Sequence, residues 1–388
     1  MIALWPFIIL DVLAAGYLAA LALSSLLPSR RRRPRKYRAP RIAVIIPAHN
    51  EQDLLGGTLV SLQAQDYPSE LYEVHVIADN CTDATAAIGR SYGAIVHERS
   101  DPARPGKGQA LGWLLTRLVE DVGIDGFVFI DADSTVMPNF LTVMSRRLSA
   151  GDDVLQASYQ VSDPGRSALT GLRALAFALM HDLRGRGKDR LGLSIGLWGN
   201  GMAMSRVVLA SVPWQSFSAV EDGEQHIQLL LRGYKSRFVG DTRVYGHMPS
   251  TFGASKEQQQ RWEGGKVFLV KRYWAPLLRR ALSRLSPACG AAFFELLLPP
   301  LSVQTLLTLS IVPFTVVLGS SLQLALVCGG LAGLAVYVTS GLIAARMPLS
   351  VYASLLYAPV YLGWKVWLFA TQLPKRAGPA WMRTTRDA

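Results

Sequence analysis

The chain has 388 residues, 50% of them hydrophobic and only 18% charged, with 40 Lys and Arg against 28 Asp and Glu for a formal net charge of +12. So apolar a composition excludes an ordinary soluble enzyme, and 9 Trp, 13 Tyr and 13 Phe in a sequence without repeats exclude disordered, collagen-like and solenoid chains. Eight basic groups lie in residues 29–41 and six in 266–286, with no acid in either stretch, so they flank apolar segments where anionic headgroups sit and do not cover a folded domain as in a nucleic-acid binder.

Ile2 to Leu27 is apolar except for Asp11, Ser24 and Ser25 and is long enough to cross a hydrocarbon core. No basic region precedes it and no small-residue cleavage site closes it, so residues 1–28 read as an uncleaved anchor and not as a signal peptide. In the linker 29–41, Arg30 to Arg33, Arg35, Lys36 and Arg38 then place the following domain in the cytoplasm by the positive-inside rule. Cys81, Cys289 and Cys328 are odd in number and unrelated in spacing, which fits a reducing compartment and neither a disulfide framework nor a metal pattern.

Residues 42–265 alternate β-rich runs, Ile42–Pro47, Glu73–Asp79, Ala94–His97 and Phe127–Asp131, with helical patterns. This alternation predicts a parallel, helix-covered sheet whose ligand sits at the carboxyl ends of the strands. His49-Asn50-Glu51, Asp79-Asn80 and Asp131-Ala132-Asp133 all fall there. Residues 266–286 mix Val267, Phe268, Leu269 and Trp274 with basic groups, as an interfacial amphipathic segment does. Within 287–373, Ala291–Leu318, Leu322–Ala345 and Leu349–Gln372 are each long enough to span, the first interrupted by Pro299-Pro300 and Pro313. The tail 374–388 carries Lys375, Arg376, Arg383 and Arg386, which argue for a cytoplasmic end and conflict with three full crossings, so the proline-broken stretch is expected not to cross fully.

Asp131-x-Asp133 ends an apolar strand, where two carboxylates on alternate residues can approach one hard cation that also holds a diphosphate; a helix-start turn before Pro138 is the structural alternative. Lys107, in Arg104-Pro105-Gly106-Lys107-Gly108, sits in a glycine-flanked loop suited to phosphate, and Asp79 ends the strand expected beside it. Asn50, with Glu51 after it, fits a helix N-cap as well as a ligand, and Asp83 and Glu221-Asp222 carry the same ambiguity. His181, His226 and His247 are more often structural than metal ligands. Glu295 and Lys365, inside apolar stretches, mark an acceptor path or snorkel to the interface.

Taken in order, Pro47-Ala48-His49-Asn50-Glu51, Ala78-Asp79-Asn80, Gly106-Lys107-Gly108-Gln109-Ala110-Leu111, Asp131-Ala132-Asp133, Gly199-Asn200-Gly201, Glu221-Asp222 and Gln258-Gln259-Gln260-Arg261-Trp262 resemble the membrane-bound family 2 glycosyltransferases, the group of cellulose, chitin and hyaluronan synthases and single-addition relatives. Trp381, Thr384 and Arg386 look like the W-x-x-T-x-R element that follows the last helix in some members. The resemblance implies an α/β GT-A domain, a Rossmann-like nucleotide-diphospho-sugar transferase, with an N-terminal transmembrane helix and C-terminal transmembrane or interfacial helices. It implies that Asn50, Glu51 and Asp79 hold the nucleoside, with uridine expected. Asp131 and Asp133 position the diphosphate and its Mg²⁺ or Mn²⁺, and Lys107, Gln258 and Arg261 contact the phosphates. Asp222 matches the catalytic base, while Glu221, Gly199, Asn200 and Trp262 belong to the acceptor site. Having His49 where tyrosine is commoner departs from the pattern at the nucleoside contact.

Breaking a sugar–phosphate bond builds positive charge at the anomeric carbon and negative charge on the leaving diphosphate, which a metal, Lys107 and Arg261 offset. The acceptor hydroxyl loses its proton to one carboxylate as it attacks from the opposite face, so inversion is expected. Trp262 suits either a sugar platform or a membrane-interface belt. A nucleotide-sugar donor, a lipid or saccharide acceptor and membrane lipids are the expected partners, at the inner membrane of a bacterium with the catalytic domain cytoplasmic. Single addition is the leading expectation; processive polymer synthesis and a non-catalytic sugar-nucleotide-binding subunit are its alternatives, and a transporter fits less well because few charges lie in the spans.

Overall fold

Ile42, Val44 and Ile46 join the core on one face of the sheet and Ala43 and Ile45 the core on the other, as the alternation of strand side chains requires. A strand buried on both faces must be an inner one, and β1 (Ile42–Ala48) is paired on both sides. In the computed structural model, which describes residues 4–28 and 38–371, seven further strands complete the sheet. They are β2 (Tyr72–Asp79), β3 (Ile95–Arg99), β4 (Gly126–Phe129), β5 (Ser134–Val136), β6 (Val154–Val161), β7 (Met202–Ser205) and β8 (Arg237–Gly246), in the order β3-β2-β1-β4-β7-β6-β8-β5. The expected parallel pairing holds for β3-β2-β1-β4 and again for β6 with β8, whereas β7 runs antiparallel to β4 and β6, and β5 antiparallel to β8. The strands that reverse direction follow the D-x-D segment, so the sheet is mixed on its β7-β6-β8-β5 half.

The helices are α1 (Trp5–Ser24), α2 (Leu55–Gln63), α3 (Thr85–Ser91), α4 (Lys107–Leu118), α5 (Phe140–Ser149), α6 (Ala168–Phe177), α7 (Arg184–Arg190), α8 (Arg206–Ser211), α9 (Glu221–Leu231), α10 (Phe252–Ser283), α11 (Pro287–Leu297), α12 (Leu301–Leu318), α13 (Ser321–Ala344), α14 (Leu349–Ser354) and α15 (Ala358–Thr371), with a π-helical turn over Ala178–Leu183. α1 and α13 are each long and apolar enough to cross a membrane, and α11 with α12 forms a third such unit, bent by 67°. The bend falls at Pro299-Pro300, which cannot donate to helical carbonyls. The third apolar stretch is not one helix either. Pro359 has no N–H for the carbonyl four residues back, and the chain breaks into α14, a 3₁₀ turn at Leu355–Tyr357 and α15.

No break separates the Gln258–Trp262 motif from the basic segment expected to follow it as a separate element, since both lie on α10. Glu295 and Lys365 neither snorkel nor stand free. Lys188 of α7 pairs with Glu295, whose other oxygen accepts from Tyr17 at 3.0 Å, and Lys365 pairs with Glu263 at 2.9 Å and Gln259 at 2.5 Å. Glu295 and Lys365 thus each meet an opposite charge, the arrangement low dielectric demands, whereas Asp11 of α1, also buried, accepts from the Thr308 hydroxyl at 2.6 Å. The basic run 30–36 and the Trp381–Arg386 element lie outside the described residues.

Candidate active site

The loops after β1 and β2 are laced together. His49 Nδ1 lies 2.7 Å from the Asp79 carbonyl oxygen, the Asn50 side-chain oxygen accepts from the Thr82 amide at 2.8 Å, and the Glu51 amide donates to the Thr85 hydroxyl at 2.8 Å. Asn50 has φ of 54° and α2 begins only at Leu55, so it caps no helix; asparagine is among the few residues that tolerate this left-handed backbone. Asp79 is buried, accepting from Arg99 at 2.5 Å and from Asn80 at 3.0 Å. Asp83 does take a local turn role, accepting from the Thr85 amide at 3.0 Å. Asn50, Glu51 and Asp79 therefore share one sheet edge.

The second half of the site is built around Lys107. It is not in a loop: it is the first residue of α4, and Gly106, with φ of 115°, turns the chain into the helix. Its ammonium donates to Asp131 at 2.5 Å and to the Gly199 carbonyl at 2.6 Å, and lies 3.7 Å from Glu221. Asp131 lies two residues beyond the end of β4. Gly199 has φ of 75°, and a Cβ there would sit 3.0 Å from the Lys107 ammonium and 3.1 Å from Asp222 Oδ2, so only glycine lets this backbone pass between the two charges. Glu221 and Asp222 open α9, Asp222 accepting from the Gly223 amide at 2.7 Å. Lys107, Asp131, Gly199, Glu221 and Asp222, far apart in sequence, meet within one cluster.

Asn200, expected at the acceptor site, hydrogen-bonds inside the protein. It is fully buried, accepts from the Asp131 amide at 3.2 Å and donates to the Ser134 hydroxyl at 2.8 Å, so it braces the D-x-D segment from behind. Gln258 is buried too, accepting from Arg173 at 2.7 Å. Trp262 packs on the α/β core with its ring 6.4 Å from Phe177, which assigns it to this domain and not to an interface belt.

Burial pushes the carboxyls of Asp131, Glu221 and Asp222 up, Glu221 to about 7, while the Lys107 cation pulls all three down and Arg261 adds to that pull. Burial by itself lowers Lys107, but Asp131, Glu221 and Asp222 outweigh it and hold the amine above its usual range. Arg261 thus faces the same cluster from α10.

Tyr159 and Trp198 escaped the sequence reading, which treats His181 and His226 as structural. The Tyr159 hydroxyl reaches Asn200. The His181 ring lies between those of Tyr159 and Trp198, at 5.5 and 4.3 Å, and burial lowers its pKa to about 3, so it is a neutral packing element. His226 is likewise lowered by burial and bonded to Ser194 at 3.0 Å. Trp198 adjoins Gly199-Asn200, the one signal that pointed to it, whereas the π turn that seats His181 leaves no mark in the local sequence.

A family model described as "Glycosyltransferase like family 2" matches residues 40–265. Among curated proteins, the probable glycosyltransferase YdaM of Bacillus subtilis (strain 168) is 24% identical over 63% of this chain and 60% of its own length. The beta-monoglucosyldiacylglycerol synthase of Synechocystis sp. is 28% identical over 61% of this chain and 50% of its own length. The chain therefore spans half to three fifths of these relatives. Among solved structures, mannosyltransferase PcManGT from Pyrobaculum calidifontis, in complex with GDP-Man and Mn²⁺, superposes with a TM-score of 0.57 at 18% identity, covering 92% of this chain and 99% of that one, which shows a shared fold. With the family's pattern running through more than half of the chain and its motifs gathered at one sheet edge, the protein belongs to glycosyltransferase family 2.

Proposed function

We propose that the protein moves a sugar from a nucleotide-sugar, with inversion, to a lipid or lipid-linked saccharide held in the membrane, working from the cytoplasmic face of a bacterial inner membrane. The observation that carries the reading is the convergence of Lys107, Asp131, Glu221 and Asp222 around Gly199. In this reading the nucleoside, a uridine, lies at Asn50, Glu51 and Asp79. The Synechocystis relative, named for making a glucosyl lipid, and the Pyrobaculum protein of like fold, solved with GDP-mannose, support the donor and acceptor classes.

The donor set fits a hard divalent cation. Among the described residues no three His, Cys, Asp or Glu side chains converge on a metal site, but Asp131 and Asp133 supply two carboxylates, and a cation, the Lys107 ammonium, already sits against Asp131. Asp131 and Asp133 would hold Mg²⁺ or Mn²⁺ together with the diphosphate, and the metal would neutralise charge that builds on the leaving group. Lys107, kept protonated by its acidic neighbours, and Arg261 bind the phosphate oxygens as that charge develops. Asp222 takes the acceptor proton, and Glu221 beside it orients the hydroxyl. Trp262 offers its face to the acceptor sugar.

Nucleotide release by the purified full chain in native lipid, across UDP- and GDP-sugars with Mg²⁺ or Mn²⁺, tests the reading. One donor is expected to support release and the others not, and release that proceeds equally with the metal chelated would remove the role given to Asp131 and Asp133. A pH profile of kcat adds an independent check. The base acts only when deprotonated and burial holds the Asp222 carboxyl above the ordinary aspartate range, so the rate should fall about tenfold per unit as the pH drops below that raised pKa. A profile flat down to about pH 5 would show that neither carboxyl accepts the proton.

A further inference from the structure

The helix that carries the Gln258–Trp262 motif, α10, is held on three faces. On the first, Gln258 accepts from Arg173 and Trp262, one turn further on, packs against Phe177, so this face lies on α6. On the second, Gly265 lies so close to Val220, the residue before Glu221, that a Cβ there would collide with it, and Arg261, one turn earlier, faces the carboxylates around Lys107. The third face is the stripe Phe252, Lys256, Gln259 and Glu263, spaced as one side of a helix requires. All four meet α15. The Phe252 ring lies 4.9 Å from that of Trp364, the Lys256 ammonium 5.5 Å over Trp367, and the Lys365 ammonium donates to Gln259 at 2.5 Å and to Glu263 at 2.9 Å.

Lys365 is an unexpected choice for packing alone. α15 exposes Val360, Val366 and Trp367 and buries the lysine, which is 3% exposed. Taking an ammonium and a carboxylate out of water costs about as much as their attraction returns, and apolar side chains of similar volume would pack the same seam at least as stably. What a buried pair adds is register, because it is satisfied at one rotation of α10 and one height of α15, whereas apolar contacts slide. The residues it grips, Gln259 and Glu263, alternate along the helix with Gln258, Arg261 and Trp262. Helix side chains reach about 5–6 Å from the axis, so a turn of roughly 20° moves a side-chain tip by about 2 Å, more than a hydrogen bond tolerates.

We infer that Lys365 is a positioning residue for transfer: by holding Gln259 and Glu263 it sets the rotation of α10 that turns Arg261 toward the diphosphate. The inference rests on the transferase reading, in which Arg261 binds the phosphates. It adds that an apolar helix outside every motif of the α/β domain controls that contact, so the donor site is complete only when α15 is docked on α10.

The test is the affinity of the full chain in detergent for UDP and UMP, or GDP and GMP, each with Mg²⁺. A K365M/E263Q variant removes both charges together, so neither is left buried alone, and its Tm should stay close to that of wild type. Its diphosphate affinity should fall about tenfold, the loss of one charge-assisted contact. Its monophosphate affinity should stay within about twofold, because the nucleoside loops after β1 and β2 keep their geometry. Adding R261Q should cost nothing further, the triple variant binding diphosphate as R261Q does, since Lys365 acts through Arg261. A merely structural role predicts a lower Tm with equal losses for the two nucleotides, and that result overturns the inference. Wild-type diphosphate affinity in the double variant overturns it too, as do losses that add to those of R261Q. K365Q, whose amide still donates to Glu263, replaces the double variant if that does not fold, with the same selective loss expected and an unselective one overturning. A wild type that binds neither nucleotide removes the transferase reading itself, whereas a wild type that binds and variants that match it remove the role of Lys365 alone.

Discussion

Replacing Asp222 by Asn should leave nucleotide binding within about twofold of wild type and lower sugar transfer on the order of 10²–10⁴-fold, the range for loss of a positioned general base. The substitution is close to isosteric, and its side-chain oxygen can still accept from the Gly223 amide, now at 2.7 Å. It also neutralises one of three carboxyls that burial holds high around Lys107, so the folded protein sheds a desolvation cost that outweighs the attraction to Lys107 lost with it. Tm should accordingly be unchanged or slightly raised. Paired measurements of nucleotide affinity and single-turnover transfer check both halves. Retained turnover would take the base role from Asp222 and leave Glu221 as the carboxylate to test; lost nucleotide affinity would mean that Asp222 works through the donor and not on the acceptor.

Gly108→Ala should be nearly as damaging, though no side chain is lost and the residue touches no substrate. A Cβ at 108 would press into the Ser216 carbonyl oxygen, sit 3.1 Å from the Glu221 Cβ and 3.3 Å from the Phe217 Cα. Two of these atoms are backbone and cannot rotate away, so the segment 216–221 must shift outward and carry Glu221 and Asp222 with it. Overpacking of this kind costs about 1–3 kcal/mol of stability, and a misplacement of about 1 Å at a reacting group costs about 10²-fold in rate. Transfer should fall by that order while the loops of Asn50 and Asp79, on other strands, keep their geometry. A Gly57→Ala control, where an added Cβ meets nothing within 4 Å, should leave the rate unchanged. Equal activity in the two variants would show that α4 and the Glu221 segment are not packed as tightly as the geometry indicates.

The glycine at 108 shows where sequence reading stops. Gly106-Lys107-Gly108 suggested a flexible phosphate loop, yet Gly106 is a helix-entry turn and Gly108 a contact surface, because the role of a missing side chain is set by what approaches it. Asn200 is a like case: its motif pointed to the acceptor, and what the sequence could not show is that its side chain bonds to Asp131 and Ser134, partners 69 and 66 residues away. Glu295 and Lys365 were legible as charges in apolar helices and nothing more, since their partners, Lys188 and Glu263, lie about a hundred residues distant. Arg173 carried no local signal at all.

What the amino-acid sequence determined by itself is everything that depends on local pattern. The alternation of β1, β2 and β4, the apolar length of α1 and α13, the breaking prolines at 299 and 300, and the order of the acidic motifs were enough for the α/β domain, the apolar helices and the edge of the sheet that bears the chemistry. Tertiary structure alone decided the reversal of β7 and β5, the continuity of α10 through the Gln258–Trp262 motif, and which charges meet. Strand direction is settled by pairing between segments distant in the chain, and a buried charge is settled by the opposite charge that low dielectric requires beside it. Neither interaction is encoded within the few residues that a periodic pattern covers.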